Sequence, residues 1–229
     1  MAHLKVARFS HIRSVTLDLD GTLLDSLPDL AAGANLMLAE LGQPLRSQDE
    51  ICSFVGKGIA DLVRRCLTEG RDCMLDQTMA LKVFRRHYGE TNGQQAKPYP
   101  GVMEGLERFK ALGLPLAVVT NKAMEFTTPL LAATGLAPYF SLVIGGDSLP
   151  EKKPHPLPLR HAAATLGTTP ANNLHVGDSR HDAEAARAAG CAVALVPYGY
   201  SPADSIHKLD CDVIVGSLVE LADLLATDH

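Results

Sequence analysis

Residues 14–26 read SVTLDLDGTLLDS. Within them VTLDL, residues 15–19, has the alternation and β-branched content of a buried strand. Asp18 and Asp20 stand at its end, one residue apart, with Gly21 and Thr22 directly after. A carboxylate at the end of such a strand is costly unless something pairs with it. The stretch therefore predicts a strand that carries two carboxylates to a partner.

Outward from this strand, two textures alternate. Short apolar runs ending in polar clusters recur as PLAVVTN, FSLVIGGD, NLHVGDS, AVALVPYG and DVIVGS. Helical patterns lie between them. In VMEGLERFKALG, Val102, Leu106 and Phe109 share one stripe, and Gly113 is a stop signal. Further helices are expected over 123–134, 157–166, 182–189 and 218–225, with Pro129 kinking the first of these or marking its real start. Strands alternating with helices of about ten residues predict an α/β fold, a doubly wound parallel sheet with a Rossmann-like core.

Residues 26–98 break that rhythm. Ser26 with Asp29, and Ser47 with Glu50, have the spacing of helix-start capping boxes. Stretches 30–41, 48–55, 60–69 and 74–88 then read as successive helices, with no convincing strand. The polar, Pro/Gly-rich TNGQQAKPYPG, residues 91–101, reads as a hinge returning to the sheet. The expected organisation is an α/β catalytic core from residues 1–25 and 99–229, with an α-helical cap, 26–98, inserted after the first strand.

Composition narrows the function. The 229 residues suit one large domain or a domain with an insert, and a hydrophobic content of 46% permits a sizeable core. A net charge of −5 lacks the basic face of a nucleic-acid binder. It leaves room for an anionic substrate, because a bound cation or one well-placed lysine inverts the local field. The five cysteines are odd in number and form no CxxC pair, which points to reduced thiols, with Cys191 in the core. The opening MAHLKVARFSHIRS has no continuous apolar segment, and no run of 18 apolar residues occurs, so neither secretion nor membrane insertion is expected. The expected location is the cytoplasm.

In an open parallel sheet, ligands collect at the carboxyl ends of the strands near the reversal of strand order. Asp18, Asp20, Thr120, Asn121, Asp147, Asp178 and Asp182 all follow expected strands, and Lys153 lies in the loop EKKPHP. Clustered carboxylates repel unless a cation joins them, and an all-oxygen set suits Mg²⁺. Asp18 is then the nucleophile, since carboxylates form aspartyl-phosphates. Asp20 protonates the leaving oxygen and later deprotonates the attacking water. Thr120, Asn121 and Lys153 hold the phosphoryl oxygens, Asp178 completes the Mg²⁺ shell, and Asp182 lies one shell out.

DLDGT, VVTN, KKP and VGDSRHD, in this order, resemble the four motifs of the haloacid-dehalogenase (HAD) superfamily of phosphohydrolases, and the helical insert resembles that family's cap. The resemblance spans nearly the whole chain. It implies Asp18 as nucleophile, Asp20 as acid/base, and Lys153 rather than Lys152 as the motif lysine. It also implies Mg²⁺ held by the Asp18 carboxylate, the Asp20 main-chain carbonyl and Asp178. Within the family, LDLDGTLLDSLPDLAAGANLMLAELG, VGKG, EKKPHPLPL, VGDSRHDAEAARAAGC and PYGY look like the bacterial phosphoglycolate phosphatases. That implies 2-phosphoglycolate as substrate. The competing readings are a phosphatase for another small ester such as a sugar phosphate, a β-phosphoglucomutase-like phosphomutase, and a non-catalytic binding protein. The implied partner is a small phosphorylated substrate, with no nucleic acid or membrane, acting on a monomer or homodimer.

Several residues carry two readings. Asp182 is a site residue or the N-cap of the next helix, and Asp147 is a site residue or part of a turn. Lys152 is a solvated neighbour. Asp25 and Ser26 contact substrate or start the first cap helix. None of the nine histidines has HExxH or HxH spacing, so His155, His175 and His181 are expected at the surface or behind the site. VGKG, residues 55–58, is a glycine-permitted turn or a loop whose Lys57 meets a second anionic group on the substrate.

Overall fold

The computed structural model describes residues 9–70 and 75–227. Strand β1 (Ser14–Leu17) is followed by the two-residue strand β2 (Leu24–Asp25). Four helices follow: α1 (Leu27–Glu40), α2 (Gln48–Cys52), α3 (Ile59–Thr68) and α4 (Gln77–Thr91). A second short strand, β3 (Lys97–Pro98), returns the chain to a β/α alternation. That alternation runs through α5 (Val102–Ala111), β4 (Leu116–Val119), α6 (Met124–Ala133), β5 (Leu142–Ile144) and α7 (Leu157–Thr165). It ends with β6 (Asn173–Gly177), α8 (Arg180–Ala189), β7 (Ala192–Leu195), α9 (Ala203–Ile206), β8 (Val213–Ile214) and α10 (Leu218–Thr227).

The six apolar runs of the sequence are the strands of one sheet, ordered β5-β4-β1-β6-β7-β8 and parallel throughout. Strands β1, β4 and β6 are buried on both faces, which is why they read as continuous apolar runs. Neighbouring side chains on β4 enter opposite layers: Val118 joins Phe109, Leu218 and Leu225, while Val119 joins Leu159, Ala162 and Ala186. The order reverses between β1 and β6, so the crevice of a doubly wound sheet opens where Asp18 and Asp178 emerge.

Helices α1 to α4 enclose a third apolar cluster of their own, with Met37, Ile51, Phe54, Leu62, Phe84 and Tyr88 buried in it and Phe126 of α6 reaching in from the sheet side. The two connections to this helical unit run side by side, because β2 pairs antiparallel with β3. Asp29 is fully buried, and its carboxylate accepts the backbone N–H groups of Gly93, Gln95 and Ala96 on the returning connection. Among the described residues, no helix is long and apolar enough to cross a membrane.

Three expectations are corrected. Ser47 and Glu50 form the expected capping box, but Ser26 and Asp29 do not: Ser26 makes no side-chain cap bond and Asp29 holds the return connection. Pro129 neither starts nor divides α6, and lies inside it. Pro129 and Glu125, four residues earlier, are both exposed, so the carbonyl that loses its N–H partner is open to water. Strand β3, which pairs with β2, lies at the end of a region expected to lack strands. The helix expected over 74–88 is α4; residue 74 itself lies outside the described residues, as does Cys73.

Candidate active site

Strand β1 ends at Leu17, and the Asp18 backbone N–H donates to the Val176 carbonyl, continuing the ladder by one rung. The chain then turns sharply: the N–H groups of Thr22, Leu23 and Leu24 all bond to the Leu19 carbonyl, with Gly21 at φ 82°. This turn puts Asp18, Asp20 and the ends of β4 and β6 around a cavity of about 510 Å³. Thr120, Asn121, Lys122, Lys153, Asp178, His181 and Tyr200 line its sheet side; Leu30, Val55, Ile59 and Leu62 line its helical side.

Lys153 is buried and bridges Asp18 Oδ1 at 3.0 Å and Asp182 Oδ1 at 2.6 Å. Behind it, His175 is also buried, with Nε2 3.0 Å from Asp182 Oδ1 and Nδ1 3.0 Å from the Thr16 hydroxyl. Burial lowers the His175 pKa, so the ring is neutral; it donates at Nε2 and accepts at Nδ1. Burial opposes ionisation of Asp182 most strongly, yet Lys153 and His175 outweigh it and hold this carboxylate well below the usual range. The Lys153 ammonium likewise loses to burial but gains more from Asp18 and Asp182, and its pKa is raised. Asp182 also closes the capping box of α8, whose N-cap is Ser179. The two readings of Asp182 thus merge: it starts the helix as the third residue rather than the N-cap, and it aims the lysine.

Asp178 sits in a glycine cradle. A Cβ on Gly199 would lie 2.3 Å from the Asp178 carboxylate, and one on Gly21 would lie 2.5 Å from its Oδ2. No side chain fits there. The carboxylate accepts the Tyr200 backbone N–H at 2.7 Å and the Thr22 hydroxyl at 3.3 Å. Burial, with Asp182 and Asp18 adding repulsion, pushes its pKa up to about 8. Burial also pushes Asp18 up to about 7 despite Lys153 beside it. Carboxylate oxygens of Asp18, Asp178 and Asp182 lie within 4.8 Å of one another, close enough to hold one metal ion. Since Asp182 is committed to Lys153, His175 and Ser179, the oxygens left for a cation are those of Asp18 and Asp178. Among the described residues, the carboxylates of Asp18, Asp20 and Asp182 form ion pairs with two ammonium groups, Lys122 and Lys153. Carboxylates that outnumber their ammonium partners at one crevice suit a hard divalent cation on oxygen ligands.

Asp20 lines the cavity beside Asp18. Its Oδ1 accepts the Ser26 hydroxyl at 2.5 Å, and the Lys122 ammonium lies 3.1 Å from Oδ1 and 3.2 Å from Oδ2. Ser26, read from the sequence as a substrate contact or a helix start, instead bonds Asp20, and Lys122 and Tyr200 are what sequence reasoning missed. Lys122 directly follows Thr120 and Asn121, but its partner Asp20 is 102 residues away in the chain.

Thr120 is buried, and its hydroxyl oxygen accepts the Lys122 N–H at 3.2 Å. Asn121 departs from its expected role as a phosphoryl donor. Both of its amide hydrogens bond to carbonyls, those of Gly56 and Lys153, each at 2.9 Å, so the side chain ties the helical unit to the lysine loop. Asp147 is exposed and accepts the Met124 N–H, a turn role at the start of α6. Lys152 is not a freely solvated neighbour, since its ammonium donates to the Lys57 carbonyl at 2.8 Å. Lys57 is exposed; Gly56 and Gly58 on either side of it line the cavity. Among the histidines, His175 stands behind the site and His181 lines it.

A family model for haloacid dehalogenase-like hydrolases matches residues 15–196. The chain is 49% identical to a phosphoglycolate phosphatase of Thiobacillus denitrificans over 214 residues, covering 92% of this chain and 94% of that one. It is 39% identical to a phosphoglycolate phosphatase of Escherichia coli O157:H7, covering 98% and 96% of the two chains. Among solved structures, a predicted phosphoglycolate phosphatase from Haemophilus somnus superposes with a TM-score of 0.84 at 36% identity, covering 96% of this chain and 99% of the other. Fold, motif order and these likenesses agree: the chain belongs to the haloacid dehalogenase-like hydrolase family.

Proposed function

We propose that the chain is a Mg²⁺-dependent phosphomonoester hydrolase working through an aspartyl-phosphate on Asp18, with 2-phosphoglycolate as its substrate. One observation carries the chemistry: Asp18 ends β1 beside Asp178 and within 3.0 Å of Lys153, with Asp20 in the same cavity. An Asp18 carboxylate oxygen attacks phosphorus while Asp20 gives its proton to the departing ester oxygen. Water then attacks the aspartyl-phosphate, Asp20 takes its proton, and inorganic phosphate leaves with the Asp18 carboxylate restored. Lys153 and the Thr120 hydroxyl face the phosphoryl oxygens, and Asn121 fixes the loop that carries Lys153. Asp18, Asp178 and the Asp20 main-chain carbonyl would hold the Mg²⁺, which neutralises charge on the transferring group.

The helices of residues 26–98 serve as the cap that closes over the substrate, and Lys57 meets its carboxylate. The choice of ester is supported by relatives of that name at 39% to 49% identity over nearly their whole length. The deciding experiment measures kcat/KM across a panel of phosphomonoesters, with Asp18→Asn as the blank. 2-Phosphoglycolate should head the panel and Asp18→Asn should be inactive. Substantial turnover by Asp18→Asn ends the nucleophile assignment, and a better sugar phosphate replaces the substrate.

A further inference from the structure

Lys122 is a buried charge at the cavity that the proposed chemistry does not use. Its side chain is 3% exposed, yet its ammonium has a partner for every hydrogen: Asp20 Oδ1, Asp20 Oδ2 and the Tyr88 hydroxyl oxygen. Nothing is left over to bind a phosphoryl oxygen, so Lys122 acts through Asp20. Tyr88 belongs to α4 of the helical unit, where it is fully buried against Phe84 and Phe126 at ring distances of 5.3 and 4.8 Å. Its position is therefore set by packing within that unit together with Phe126 of α6.

Asp20 Oδ1 takes two donors, Ser26 and Lys122, whereas Oδ2 takes Lys122 alone. This asymmetry leaves Oδ2 the less engaged oxygen of a residue that lines the cavity. We infer that Lys122 is a positioning residue that, braced by Tyr88 of α4, orients the Asp20 carboxylate so that Oδ2 delivers and accepts the proton. The acid/base geometry is then complete only when the helical unit is docked. Without Tyr88 the ammonium loses its third partner, and Asp20 loses its fixed rotamer.

The inference rests on Asp20 being the acid/base, and leaving-group dependence separates the two. p-Nitrophenol departs without protonation, whereas the alkoxide of glycolate needs the proton. Lys122→Met should lower kcat/KM for 2-phosphoglycolate by roughly 10²-fold, the lower end of what acid–base catalysis supplies, and by under about tenfold for p-nitrophenyl phosphate. Tyr88→Phe, which keeps the ring, should show a smaller loss with the same ordering, and it carries the test if Lys122→Met does not fold. In an Asp20→Asn background, Lys122→Met should add less than about twofold, because positioning has no object there. Equal losses on both substrates, or losses that multiply with Asp20→Asn, overturn the positioning role. If Asp20→Asn itself loses equally on both substrates, the acid/base reading falls and this inference falls with it.

Discussion

The two buried lysines of the site sit in different kinds of surroundings. Lys153 is held by Asp18 directly after β1 and Asp182 in the first turn of α8, with His175 and Thr16 on strands behind. Lys122 is held by Asp20 on one side and by Tyr88 of the helical unit on the other. The side-chain partners of the first network all lie in the sheet unit, although Asn121 and Lys152 tie its lysine loop to the helical unit. The second exists only where the two units meet. The half of the site around Lys153 is therefore built mainly on the sheet unit, and the half around Lys122 is assembled across a boundary.

That comparison can be broken most directly at Asp182. Asp182→Ala would leave Lys153 with Asp18 alone, strand the neutral His175 and remove the α8 capping box. Breaking a buried pair by deleting one partner costs about 3–5 kcal/mol. Urea unfolding should show a loss of that size, and a loss below about 1 kcal/mol would mean that the sheet-side network is not held by these contacts.

A pH series tests the same half more gently. Asp18 and Asp178 are raised from 3.8 to about 7 and about 8, so the fold favours their protonated forms. Their stabilising contribution is full below pH 3.8 and is lost as pH rises through 7 and 8. Asp182 is shifted the other way, so its contribution is lost only on acidification below its ordinary range. In EDTA, the melting temperature should fall between pH 5.5 and 8, and Mg²⁺ should raise it more at pH 8 than at pH 5.5. A Mg²⁺ shift independent of pH would contradict the assignment of both carboxylates to the cation.

The smallest effect belongs to the helical side. Lys57→Ala removes one exposed charge, so kcat/KM for 2-phosphoglycolate should drop roughly fivefold, the factor that about 1 kcal/mol provides. Turnover of p-nitrophenyl phosphate should stay within about twofold. Equal losses on both would reduce VGKG to a turn.

The same division governs what could be read from the sequence. Asp18, Asp178 and Lys153 were legible because parallel strands bring their carboxyl ends together: the two aspartates follow apolar runs, and Lys153 lies in the loop after another. Lys122 was not, because a lysine after a strand reads as solvated. Nothing local shows that Asp20 and Tyr88, which lie 102 and 34 residues away along the chain, enclose it. Ser26 and Asp29 misled for a related reason. Their spacing is that of a helix cap, but partners from the turn and from the returning connection claim both side chains. Local signals hold where local partners win, as at Ser47 and Glu50, and fail where a tertiary partner outbids them.

The pairing of Leu24–Asp25 with Lys97–Pro98 bears on how such an enzyme can change over evolutionary time. Because the outgoing and returning strands lie side by side, everything between them leaves the sheet and comes back at one point. A helical unit of different length or shape can be exchanged there without moving β1, β4 or β6. The phosphoryl-handling residues would be inherited intact. A new unit need only present one ring and one hydroxyl to Lys122 for the proton-handling half to be rebuilt.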